Sequence, residues 1–410
     1  YTKYTGDENM FVTCKSMLNL PGLEEMKIVA GKNGLNRPIS WVHVVELTDV
    51  AKWVKGGELL FTTGVAIGNN TEILLKFVKD INMRKLSGLV INVGPYIKET
   101  PKKVIEFANS VDFPIFELPF QVRLIDVTQN ICRNIFTQKL EKQSMNNFMK
   151  EIIFEDIKIT EEVLNRANLY GYNPNKFYCA MVVDIDGFID TSKGDIISNI
   201  KNNIQEIVDM VMHKNNKKYL YAIQSDTFFF MVPLDDMSDV EDHIKYIAES
   251  VKKEIITNIK PITVSIGTGG ICNDLRNFNK VILEARKALK TAKIYKKTNC
   301  IVNYKEIGIF RLFLDMNNHV EMENIFYENL GKLKSYDEKN SSDLMETLIT
   351  YLKQNRNLGN TAEKLYIHRN TIKYRIKRIE EILGCDLKDE NTVFDIKLSI
   401  KIGIFLNSIH

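Results

Sequence analysis

The chain is 410 residues long, 44% hydrophobic and 26% charged, with a formal net charge of +3. That length exceeds what one core organises and predicts about two to four domains, and the composition excludes global disorder. The six cysteines, at 14, 132, 179, 272, 300 and 385, form no C-x-x-C pair or Cys/His cluster, which argues against a zinc site or a disulfide framework and fits a reducing cytosol. No apolar run approaches the roughly 20 residues a bilayer requires, and there is no signal-peptide h-region, so a cytoplasmic protein with no membrane partner, no metal and no cofactor is expected.

Residues 1–9, YTKYTGDEN, carry no apolar period and read as a tag remnant or disordered leader, with Met10 as the expected native start. Across 10–121, apolar runs alternate with amphipathic stretches in an α/β order. MKIVAG (26–31) and ISWVHVVE (39–46) read as strands, and GGELLFTTG (56–64) as a Gly-bounded buried run. Thr71 is expected to cap a helix running to Leu86, followed by strand LVINVG (89–94), a helix over 101–111 with Pro101 in its first turn, and strand FPIFELP (113–119). The phrases PISWVHVVE, GGELLFTTG, GLVINVG and FPIFELP, in that order, resemble the N-terminal domain of the PucR family of bacterial transcriptional regulators. The resemblance implies a sensory module for a small-molecule effector. Glu46, Glu58, Thr62 and Thr63 are the candidate effector contacts; on the alternative reading the glycines make turns and the threonines close strand ends.

Residues 122–172 contain a stretch without proline in which Ile125, Ile131, Ile135, Leu140, Phe148, Ile152 and Ile153 recur at helical spacing. It reads as a long helical connector, able either to pair across a two-fold axis in a homodimer or to pack on its own domains.

Over 173–305 the order is strand, helix, hairpin turning near Ser225 and Asp226, helix, strand, helix, strand, which suits a ferredoxin-like sheet backed by helices. DIDGF at 184–188, the hairpin, VSIGTGG and EARKALKTAK resemble the GGDEF domain of diguanylate cyclases. Cyclase chemistry needs paired metal-binding carboxylates, and Asp184 and Asp226 hold the corresponding positions. The glycine turn is absent, however: Gln224-Ser225-Asp226-Thr227-Phe228 stands in place of Gly-Gly-Asp-Glu-Phe, and IDTSKGD follows DIDGF without the expected phosphate- and base-contacting residues. A degenerate, non-enzymatic domain is expected, with Asp184 and Asp226 as strand-end and turn residues; the alternative is a nucleotide-binding or cyclase-like enzyme.

Residues 306–410 read as all-helical, with helices at 310–316, 320–333 and 342–355, KSYDEKNSS as a loop, and Ser341 or Ser342 as a cap. Within them, NLGNTAEKLYIHRNTIKYRIKRIEEILG (357–384) reads as a DNA-binding helix-turn-helix. Ile372, Ile376, Ile379 and Leu383 form one apolar stripe, while Lys353 to Glu380 carries eight Lys or Arg against only Glu363 and Glu380. Asn360 or Thr361 is the expected cap of the first helix, Leu365 and Ile367 pack the turn, and His368 caps the second. Arg369 and Asn370 are then placed to read base edges. Thr361, Thr371, Lys373, Tyr374, Arg375, Lys377 and Arg378 would position the helix on phosphates. This segment closely resembles the C-terminal helix-turn-helix of PucR/CdaR-type regulators. The whole chain is thus expected to be multidomain, α/β and α+β followed by all-α, and to act as a metabolite-responsive activator on a double-stranded operator, with the family resemblance implying a purine-related operon. The competing readings are the enzyme above and a protein-interaction scaffold.

Overall fold

The computed structural model describes residues 12–49, 53–155, 157–187, 194–215, 217–234, 240–316 and 318–408. The expected leader and the Met10 start lie outside these residues, as does most of the IDTSKGD segment. The chain forms two compact units, 1–147 and 148–410.

In the first unit the elements are α1 (Cys14–Met17), β1 (Lys27–Ala30), β2 (Trp41–Val44), β3 (Glu58–Thr62), α2 (Thr71–Met83), β4 (Gly88–Val93), α3 (Lys102–Ser110), β5 (Ile115–Pro119) and the long helix α4 (Leu124–Phe154), which runs on into the second unit. The sheet order is β1-β5-β4-β3-β2. β2 to β5 pair in parallel, and β1 is the antiparallel edge. Parallel strands are covered on both faces and read as continuous apolar runs. Leu60, Leu89, Ile91 and Ile115 accordingly meet α2 and α3 on one side. Leu59, Phe61, Val90 and Phe116 meet α1 and the first turns of α4 on the other. Two helix starts differ from expectation. Asn70, not Thr71, caps α2, because its side-chain oxygen accepts from the N–H groups of Glu72 and Ile73, both at 3.1 Å. Pro101 sits one residue earlier than expected, in extended conformation at the N-cap.

The second unit continues with α5 (Glu161–Leu169), β6 (Phe177–Ile185), α6 (Gly194–Lys214), β7 (Leu220–Gln224), β8 (Thr227–Leu234), α7 (Val240–Asn258), β9 (Val264–Cys272), α8 (Phe278–Ile294) and β10 (Ile301–Asn303). The expected connector is therefore two helices with a break between them, where Thr160 caps α5 by accepting from Val163 N–H. The five strands order as β10-β9-β6-β8-β7. α8 lies against β9 so closely that a Cβ on Gly269 would come within 2.1 Å of the Val281 carbonyl oxygen. Only glycine permits that approach.

Among the described residues six helices end the chain: α9 (Phe310–Phe313), α10 (Val320–Asn340), α11 (Leu344–Lys353), α12 (Leu358–Leu365), α13 (Arg369–Leu383) and α14 (Glu390–Leu406). The expected loop KSYDEKNSS is instead the last turns of α10, which stops at Ser341 in a left-handed conformation. Lys and Glu are good helix formers, and Tyr336 continues the apolar side of α10 into the core, so polar composition there marks an exposed helix face. Neither serine caps α11; the Asp337 carboxylate does, accepting from Leu344 and Met345 N–H at 3.0 and 2.8 Å. α14 serves two cores: Val393 and Ile396 pack with α10 to α13, whereas Ile402, Phe405 and Leu406 pack with Ala288 and Ile294 of α8 and with Phe310 and Phe313.

Candidate nucleic-acid interface

The helix-turn-helix is built from α12, a three-residue turn and α13. Ala362, Ile372, Ile376 and Ile379 are buried against Leu348, Leu352 and Val393, with Leu365 and Ile367 partly buried at the turn. Asn357 opens α12, its side-chain oxygen accepting from Gly359 and Asn360 N–H at 2.8 and 3.1 Å. The expected cap Thr361 lies inside the helix, 0% exposed, and its hydroxyl donates to the Asn357 carbonyl at 2.6 Å. It cannot reach a phosphate. His368 does cap α13: its Nδ1 accepts from Asn370 N–H at 3.2 Å, and the helix starts at Arg369. α13 ends at Gly384 in the left-handed region, the conformation glycine adopts without steric cost.

The burial of Ile372, Ile376 and Ile379 fixes which side of α13 faces outward. Asn370, Tyr374 and Lys377, at i, i+4 and i+7, run along that side, flanked by Arg369, Thr371 and Lys373; all six are exposed. The charged set of the sequence divides here. Arg375 is half-buried and its Nη1 donates to Thr347 Oγ1 at 3.0 Å, tying α13 to α11. Arg378 pairs with Glu381 at 3.0 Å and lies 5.2 Å over the Tyr336 ring; its bonds to Tyr336 and Glu381 hold its pKa above the ordinary value. Arg356 donates to the Leu387 and Lys388 carbonyls and pairs with Glu390, so it clamps the loop before α14. These three arginines are structural ties. One residue that pattern reading passed over is Tyr366, which closes α12 in a left-handed conformation (φ 55°, ψ 38°) and is 95% exposed. In sequence it sits between Leu365 and Ile367 and looks like part of the packed turn; only the backbone conformation reveals otherwise.

The other candidate residues fall into separate places. Glu58 is 5% exposed and accepts from Lys55 and Gly56 N–H at 2.8 and 2.7 Å, closing the loop at the amino end of β3. Thr62 and Thr63 stand at the opposite end of that five-residue strand, roughly 13 Å away at 3.3 Å per residue. Glu58 therefore shares no site with them. Glu46 does join them, its Oε1 accepting from Thr63 N–H at 3.0 Å, while Thr62 Oγ1 accepts from Gly64 N–H at 3.0 Å. In the middle module, Asp184 is paired with Lys293 at 2.7 Å and accepts from Thr227 Oγ1 at 3.1 Å. Asp186 accepts from the Thr263 and Ser265 hydroxyls at 2.9 and 2.6 Å and from Asn299 N–H at 2.8 Å. Both carboxylates are engaged by the fold. Among the described residues no group of three or more His, Cys, Asp or Glu could hold a metal, and no helix is long and apolar enough to cross a membrane.

Three family models match the chain in order. Residues 16–135 match the purine catabolism regulatory protein-like family, residues 156–291 the GGDEF-like domain, and residues 344–402 the PucR C-terminal helix-turn-helix domain. The purine catabolism regulatory protein of Bacillus subtilis (strain 168) is 21% identical over 94% of this chain and 98% of its own length. The DNA-binding transcriptional activator AdeR of the same organism is 34% identical over 64% of this chain and 60% of its own. The crystal structure of a regulator of polyketide synthase expression from Bifidobacterium adolescentis aligns with 64% of this chain and 98% of its own at 16% identity, with a TM-score of 0.30. With a capped, basic helix-turn-helix at its end, the chain carries, in order, the PucR, GGDEF-like and C-terminal helix-turn-helix domains of PucR-type transcriptional regulators.

Proposed function

We propose that the chain is a sequence-specific activator whose α13 enters the major groove of an operator in the cytoplasm. The observation that carries this reading is the exposed row Arg369, Asn370, Lys373, Tyr374 and Lys377 over a buried Ile372-Ile376-Ile379 stripe, with His368 fixing where the helix begins. Helix-turn-helix proteins read bases with the first residues of the second helix while the first helix crosses the backbone. Arg369 offers a fork for guanine O6 and N7, and Asn370 a donor and acceptor for adenine N6 and N7. Lys373, Tyr374, Thr371 and Lys377 then hold phosphates. Positive control of transcription follows the activator role of the AdeR relative, and a purine-linked target rests on the 21% identical regulator alone.

The upstream modules decide when the operator is bound, through a small-molecule effector and assembly into a homo-oligomer. α14 supports a route for such control inside the second unit, because one helix packs in both the helix-turn-helix core and the core beside α8. The middle module acts in this reading as a framework without catalysis: the ion pair of Asp184 with Lys293 occupies the carboxylate that a cyclase would give to a metal. Mapping the genomic sites bound by the protein tests the proposal. A short recurring motif beside a coherent set of metabolic genes is expected, and binding spread evenly over the genome, with no motif, would refute it.

A further inference from the structure

The ring of Tyr366 is placed in a way that packing does not explain. Its φ of 55° lies where L side chains are disfavoured and where glycine or asparagine ordinarily closes a helix. Its neighbours Leu365 and Ile367 turn into the core, yet its own ring is 95% exposed, and among the described residues no hydrogen bond or ring contact involves its side chain. A single exposed aromatic residue is ordinary by itself. The left-handed backbone closes α12, with Tyr366 N–H donating to the Glu363 carbonyl at 3.2 Å and Ile367 N–H to the Ala362 carbonyl at 3.1 Å, a turn that glycine would make without strain, and no contact of the tyrosine side chain offsets that strain.

Its place in the motif points to what does. Tyr366 stands three residues before Arg369, between α12, which crosses the sugar-phosphate backbone, and the start of α13, which enters the groove. A side chain projecting from that turn meets the backbone at the rim of the groove. Resting on the DNA-binding reading above, we propose that Tyr366 is a positioning residue for the duplex: its ring lies on a deoxyribose at the groove edge and its hydroxyl donates to a phosphate oxygen. The contact carries no base information and, being neutral, releases no counterion.

The test uses the full-length protein and duplexes that it selects from a random-sequence pool. Tyr366→Gly relieves the backbone conformation, so its melting temperature should rise above that of the parent. Its affinity for the selected duplex and for a scrambled one should nonetheless fall by the same factor, about tenfold to a hundredfold, as loss of one hydrogen bond to a charged phosphate with its ring contact implies. The slope of log affinity against log salt should stay that of the parent. Tyr366→Phe should lose only part of that affinity. Tyr366→Gly binding as tightly as the parent, or altering the preference between the two duplexes, overturns the assignment while leaving the DNA-reading proposal in place. If the parent itself selects no sequence from the pool, the DNA-reading proposal fails and this assignment falls with it.

Discussion

Arg375 and Lys377 are two residues apart on one basic helix, and the structure separates their roles. Arg375 is half-buried, donates to Thr347 Oγ1 at 3.0 Å, and joins α13 to α11; the Thr347 hydroxyl it meets is fully buried and itself donates to the Asp343 carbonyl at 2.8 Å. Arg375→Ala removes a hydrogen bond from a charged donor, together with the packing of the arginine stem. After allowance for its partial exposure, about 1–2 kcal/mol of local stability should be lost. Amide hydrogen exchange in α11 and α13 should then accelerate by roughly 5- to 30-fold. Lys377 is exposed on the outward row and has no such tie. Lys377→Ala should leave exchange unchanged but weaken duplex binding and reduce the salt slope by about 0.9, the contribution of one phosphate contact. The assays are hydrogen exchange by mass spectrometry and fluorescence anisotropy at several salt concentrations. An Arg375→Ala protein that exchanges like the parent yet loses salt slope would show that the ion sits on DNA and that the division drawn from burial is wrong.

Asn357→Ala should cost about 0.5–2 kcal/mol by removing the acceptor for two N–H groups at the start of α12, read as faster exchange confined to that helix. Thr361→Val, inside α12, should leave the affinity for duplex DNA unchanged at fixed salt, because the hydroxyl never reaches solvent. Burial pushes the thiols of Cys14, Cys179 and Cys272 from 9.0 up to about 12. The folded protein favours their neutral form, so this contribution to stability is complete below pH 9 and is lost as the pH rises from about 9 to about 12. Melting temperature measured across that window should fall, and a water-soluble thiol reagent at neutral pH should leave these three cysteines unlabelled until the chain unfolds.

The division into an α/β module, an antiparallel middle sheet and a helical end was legible because each has its own periodicity, and the Ile372-Ile376-Ile379 stripe with Gly384 after it marks α13 from sequence alone. Caps were harder to locate. Asn70 and Asn357 each won over a nearby polar residue because capping depends on the extended backbone of the residue that carries the oxygen, whereas Asp337 reaches the start of α11 from inside α10; composition reveals neither. The end of α10 was hidden for a related reason: Lys334 to Asn340 is polar on the solvent side, and its one anchor, Tyr336, is too sparse a signal to register as a period. At the candidate interface, residue type identified the basic set but not its geometry. Arg356, Arg375 and Arg378 resemble Arg369 in sequence, and only their partners, at Leu387, Thr347 and Glu381, mark them as ties within the fold. Glu58 likewise belonged to a plausible polar group until its place at the amino end of β3 parted it from Thr62 and Thr63.

The central claim, that Arg369 and Asn370 specify the operator, is tested most directly by comparing the sequences that the parent, Arg369→Ala and Asn370→Ala each enrich from one random duplex pool. Each variant should retain the parent's melting temperature, since both side chains are exposed. Arg369→Ala should lose preference at one guanine position and Asn370→Ala at one adenine position, each by about 1–3 kcal/mol, or roughly 5- to 150-fold in relative enrichment. Recovery of one and the same motif, at the same strength, from all three proteins would contradict the account.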